Sequence, residues 1–163
     1  MSQRAYPQLE QGQIIPAFTL PGADGMPHSP WDYKQRTHLI LLFIRSATTD
    51  EGHDILGRFA AHYPALREEV CSILAITAEP VIVNLAVQEK LHFPFPLLSD
   101  PKGDVIARYT AWDCTTKRLA PCIILADRYG ALYQQWTVET EAMLPPITAL
   151  LDSLQYINKL CTP

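Results

Sequence analysis

Two rhythms alternate along the chain. Short unbroken apolar runs give way to stretches in which apolar residues return every third or fourth position. The first strong run is His38–Ile44, and its continuity predicts a strand buried on both faces. Val70–Thr77 (VCSILAIT) is a second such strand. Between them, residues 51–69 carry Ile55, Leu56, Phe59, Ala60, Tyr63 and Leu66 at helical spacing. Thr48, Thr49 or Asp50 is the expected N-cap, with Asp50 and Glu51 at the positive end of the helix dipole. Pro64 should kink or restart this helix. A further helix opens at Pro80 and runs to about Leu91. The segment FPFPLLSD carries a short strand, and Asp100 then caps a helix through Val105, Ile106 and Tyr109.

Cys122–Asp127 and Ala131–Val138 flank the turn Arg128-Tyr129-Gly130 and read as an antiparallel hairpin. The last helix starts near Pro145, with Ile147, Leu150, Leu151, Leu154, Ile157 and Leu160 as its stripe. Ahead of all these, a short strand is expected at Ala17–Leu20 and a turn at Gly22–Gly25. The order is β, β, α, β, α, β, α, β, β, α. It predicts an α/β fold, a mixed central sheet with helices on both faces.

Composition narrows the picture. At 163 residues, 48% hydrophobic and 18% charged, the chain suits one globular domain, 1–163. A net charge of −4 without a basic run argues against nucleic acid. No apolar stretch approaches the roughly 20 residues needed to span a bilayer. The opening MSQRAYPQLEQG lacks a signal-peptide core, so a cytoplasmic address is expected. Cys71, Cys114, Cys122 and Cys161 match no zinc spacing, and no metal or cofactor is expected.

Four segments together resemble the peroxiredoxin-like AhpC/TSA family of the thioredoxin-fold superfamily. GQIIPAFTLPGADG is similar to the family's G-x-x-x-P-x-F-x-L-x-x-x-x-G opening. LILLFIRSATTDE resembles the strand that delivers the active-site loop, and FPLLSDPKGDVIARY resembles F-P-x-L-S-D-P-x-G-x-x-A-x-x-Y. APCIILADRYGALYQQW resembles the family's closing hairpin. The resemblance spans roughly residues 12–138. It implies a thioredoxin-like three-layer α/β/α fold with a peroxiredoxin-type N-terminal extension, and a cis Pro121 beside the active site.

It also implies thiol-peroxidase activity, in which a thiolate at the first turn of the helix after the central strand attacks a peroxide. Here that location reads SATTDEGH, residues 46–53, and no cysteine precedes Cys71. One alignment puts the catalytic cysteine at Thr49. Another, through P-x-x-x-T-x-x-C, puts it at Gly52, with Arg45 in place of the proline. A threonine hydroxyl is not ionised near neutral pH and glycine has no side chain, so family chemistry is expected to be absent. The chain then reads as a degenerate member acting by binding or protein interaction.

The alternative is an active thiol oxidoreductase using relocated Cys122, resolved by Cys114. The plainer reading takes Cys122 as an apolar strand residue, Cys114 as incidental, Cys71 as core and Cys161 as an exposed tail thiol. Arg45, Thr48, Thr49, Arg118 and Pro121 define the expected pocket, suited to a small anion or a hydroxylic ligand. Helix capping alone would also explain Thr48 or Thr49. His53 and His62 lie nine residues apart, too far to share a metal ion. Trp112 and Trp136 are expected to pack with the core, and a homodimer is compatible with the sequence.

Overall fold

The computed structural model describes residues 9–160, so Cys161 lies outside the described residues. Its centre is a five-stranded mixed sheet built on the apolar runs. β3 (His38–Phe43) is central, parallel to β4 (Cys71–Thr77) on one side and antiparallel to β8 (Cys122–Ala126) on the other. β5 (Leu97–Ser99) extends the sheet beyond β4, and β9 (Leu132–Thr137) forms the opposite edge. Every residue of β3, β4 and β8 is buried, which is why these strands read as unbroken apolar runs and not as alternation.

Side-chain alternation splits the core in two. Ile40, Leu42 and Ile44 face a layer made by α1 (Asp50–Ala61), α2 (Tyr63–Glu68) and α5 (Ile147–Leu160). Ile55, Phe59, Leu150, Leu154 and Ile157 fill that side, joined by Val87 of α3 (Val81–Leu91). Leu39, Leu41 and Phe43 face the other way, onto Phe18, Leu20, Ile106, Tyr109 and Leu119. That face is covered by the N-terminal segment and by the short α4 (Ile106–Tyr109).

The differences from the sequence reading have local causes. The first strand is β1, Leu20–Pro21, and not Ala17–Leu20, because its ladder partner β2 is only Pro27–His28. The long helix breaks at His62, and Pro64, lacking an N–H, sits in the first turn of α2. Pro80 is the N-cap of α3 rather than its first residue. The helix after Asp100 is delayed to Ile106, since the Asp100 carboxylate first accepts the N–H groups of Val105 (3.0 Å) and Ile106 (2.8 Å).

Gly103 has φ +76, and a Cβ there would overlap the Trp112 ring. That close approach explains the glycine of the DPKG turn. Trp112 belongs to β6 (Trp112–Asp113), which pairs with β7 (Arg118–Leu119) in a small hairpin not foreseen from the sequence.

Candidate functional site

The parallel strands β3 and β4 end together, and the chain leaves both through loops that meet ahead of α1. Past β3, the Arg45 N–H donates to Glu141 Oε1 (3.0 Å) and Arg45 Nε donates to the Leu119 carbonyl (3.1 Å). Glu141, buried in a 3-10 turn at Glu141–Met143, thus holds the exit of β3. Glu79, just past β4, reaches across the gap. Its Oε1 accepts from the Ala47 N–H (2.7 Å) and from Ser46 Oγ (3.0 Å). Ser46 Oγ in turn accepts the Thr48 N–H (3.1 Å) and lies 2.8 Å from Thr48 Oγ1.

Thr49 is the N-cap of α1, with its Oγ1 accepting the Gly52 N–H at 3.0 Å. Gly52 is buried, and a Cβ at this position would overlap the Ser46 carbonyl oxygen. Loop backbone therefore occupies the space that any side chain at position 52 would need. Two N–H groups that a helix N-terminus might offer an anion, those of Ala47 and Gly52, are already bound within the loop. Glu79, Asp50 and Glu51 add negative charge there.

The second half of the expected pocket lies at the start of β8. Pro121 is buried, and the Ala120–Pro121 bond is trans, since no described peptide bond is cis. This corrects the expectation of a cis proline. The chain runs extended from β7 into β8, with the Ala120 N–H on the Ala111 carbonyl and the Val138 N–H on the Pro121 carbonyl (both 3.0 Å). An extended residue before proline is comfortable with a trans bond. Arg45 meets this segment through the Leu119 carbonyl, so Arg45, Thr48, Thr49, Gly52 and the 119–121 backbone do gather at one end of the sheet. Arg118 is exposed on β7.

The thiols sit in three different settings. Cys122 is fully buried, receiving weak hydrogen bonds from Thr137 Oγ1 (3.5 Å) and Gln135 Nε2 (3.9 Å). Burial pushes its thiol up to about 11. Cys114 is exposed at the tip of the β6–β7 hairpin. Asp113 pairs with Arg118 and Trp112 with Leu119, so the ladder carries Cys114 away from Cys122. About five residues of extended chain, on the order of 15 Å, separate them, against the ~7 Å limit for a disulfide. Both are free thiols. Cys71 opens β4 opposite His38, at the other end of the parallel strands, and burial raises its thiol further still.

Sequence reading missed Glu79 and Glu141. Glu79 carried one usable signal, its place directly after a buried parallel strand, where α/β sheets gather ligand-facing residues. Glu141 lies in an ETEAM stretch that reads as solvated surface. His53 and His62 remain apart. No group of three or more His, Cys, Asp or Glu able to hold a metal ion occurs among the described residues. Among the same residues no helix is long and apolar enough to cross a membrane.

The mixed sheet with its flanking helices is a thioredoxin-like fold of the peroxiredoxin type. Peroxidoxin BcpB from Mycobacterium tuberculosis superposes with a TM-score of 0.83 over 92% of this chain and 99% of that one, at 21% identity. A reduced 2-Cys peroxiredoxin from Plasmodium vivax superposes with a TM-score of 0.81 over 93% of this chain and 83% of that one, at 15% identity. The chain belongs to the AhpC/TSA family, whose model matches residues 11–135. Peroxiredoxin bcp1 of Schizosaccharomyces pombe (strain 972 / ATCC 24843) is 28% identical over 103 residues, 63% of this chain. That match spans about half of the yeast protein's length (53%).

Proposed function

We propose that this chain has given up the family's thiol-peroxidase chemistry at the first turn of α1 and acts by binding. The observation that carries the reading is the closed loop ahead of α1. Thr49 caps the helix, Glu79 clamps Ser46 and Ala47, and the Ser46 carbonyl fills the space beside Gly52. Either alignment of the family's reactive thiol falls on Thr49 or Gly52, and neither side chain ionises at neutral pH. A thiolate is favoured by positive surroundings, whereas this turn carries Asp50, Glu51 and the Glu79 carboxylate.

The relocated-thiol alternative lacks the chemistry it needs. Burial pushes the Cys122 thiol up to about 11, which holds it in the protonated, unreactive form at neutral pH. Cys114 is too distant to resolve it without rearrangement. Hydrogen peroxide consumption with a thiol reductant, measured on the full chain, tests the reading. The expected rate equals that of reductant and peroxide alone. Saturable turnover that disappears in Cys122→Ser or Cys114→Ser would overturn it in favour of the alternative.

A further inference from the structure

α3 exposes apolar residues and buries a polar one, and its charged residues, Glu89 and Lys90, lie exposed in its last turn. Asn84 is fully buried, donating to the Leu98 carbonyl (3.2 Å) and Ser99 Oγ (2.8 Å) and accepting from Thr77 Oγ1 (3.1 Å). Ile82, 75% exposed, together with Leu85 and Leu91, is left facing outward. A surface helix ordinarily shows the reverse arrangement. Beside that outer face runs a groove of about 420 Å³, within the size range of small-molecule sites. Thr48 and His53 line its α1 side, and Ile82, Val83, Ala86, Val87 and Lys90 line its α3 side.

The charge in this groove has one sign. In a chain of net charge −4, no carboxylate lines it, and its two titratable groups are His53 and Lys90. Neither makes an ion pair or a side-chain hydrogen bond among the described residues. The nearby acids lie outside the lining, and Glu89 is exposed on α3 beside Lys90. Asp50 and Glu51 are in the first turn of α1, and Glu79 is engaged with Ser46 and Ala47. Lys90 is eight residues after Ile82, about 12 Å along the helix, away from the Glu79 loop that leads into α3.

We propose that this groove binds a single-headed amphipathic carboxylate, with its acyl chain on the Ile82–Val83–Ala86–Val87 floor and its head group held by Lys90 and His53. The inference deepens the binding reading above, and its test does not depend on peroxide chemistry. Aliphatic contact supplies most of the affinity, and the charge-assisted hydrogen bond to Lys90 selects the anion.

Isothermal titration calorimetry of the full chain at pH 7, with octanoate below its micellar concentration and 1-octanol as the neutral control, tests it. Octanoate should bind one per chain, and 1-octanol about tenfold more weakly. Lys90→Gln should weaken octanoate about tenfold, Lys90→Arg should keep it, and Ile82→Glu should abolish it. These side chains are exposed, and circular dichroism confirms that each variant is folded. Absence of octanoate binding would overturn the assignment, as would binding that survives both Lys90→Gln and Ile82→Glu. Peroxide consumption is read separately, so a failed titration overturns the groove while leaving the thiol reading as it was.

Discussion

Gly52 and Cys122 show how single side chains determine what this end of the sheet can do. At Gly52 the Ser46 carbonyl lies where a Cβ would stand, and both partners are backbone, so the crowding cannot be relieved by a rotamer change. Gly52→Ala should therefore destabilise the fold by about 1–3 kcal/mol, read as a lower urea midpoint. Gly52→Cys should carry the same penalty and leave peroxide consumption at the blank rate. Removing the cap by Thr49→Ala should cost about 1 kcal/mol in the same assay. At Cys122 the folded chain raises the thiol from its ordinary 9.0 to about 11, burial outweighing hydrogen bonds from Thr137, Gln135 and Thr110. The protonated form is thus the one folding favours. Its contribution to stability is complete below pH 9 and is lost as pH rises toward 11. Urea midpoints taken across that window should fall with pH, and Cys122→Ala should make the fall shallower. Cys71, raised in the same direction by burial, keeps a residual slope.

Among the elements, α5 is tied down by a relay that crosses three segments. The Asn158 amide nitrogen donates to the Glu69 carbonyl and to Glu69 Oε2, both at 2.9 Å. Its oxygen must then face His38, whose Nε2–H donates to Oδ1 at 2.7 Å from the fully buried start of β3. Asn158→Ala would leave that buried N–H without an acceptor. Chemical denaturation should register a loss of about 1–3 kcal/mol, because the uncompensated group retains its desolvation cost. The long elements were legible from sequence because one physical cause dominates each. Continuous burial makes β3, β4 and β8, and a single apolar stripe makes α1 and α5.

Elements held by tertiary partners were not legible. The β6–β7 hairpin pairs only two residues on each side, and the late start of α4 depends on where the Asp100 carboxylate folds back. The same distinction governs the site. Arg45, Thr49 and Gly52 were found through the family resemblance, Thr49 being legible from the residues as a helix cap as well. Glu79 and Glu141 reach the loop from 32 and 96 residues away, which local pattern does not encode. The conformation of Pro121 was inferred from the family rather than from residues, and it is trans.

For the whole molecule, the family fold is kept, and the start of α1 carries Asp50 and Glu51, with the clamping Glu79 on the loop ahead of it. Both faces of the sheet are filled, and the parallel strands deliver their loops to one edge, where α/β folds gather functional residues. At that edge the hydrogen bonds of the loop are satisfied internally by Glu79, Ser46 and Thr49. What remains open is the adjoining apolar wall of α3. On the proposed reading, the scaffold holds a ligand against α3 and does not ionise a sulfur at α1. The most direct measurement is to expose the reduced chain to one equivalent of hydrogen peroxide and trap sulfenic acid with dimedone, reading the adduct by peptide mass spectrometry. The account predicts only slow modification, confined to exposed thiols such as Cys114. Rapid stoichiometric trapping at Cys122 or Cys71 would contradict it.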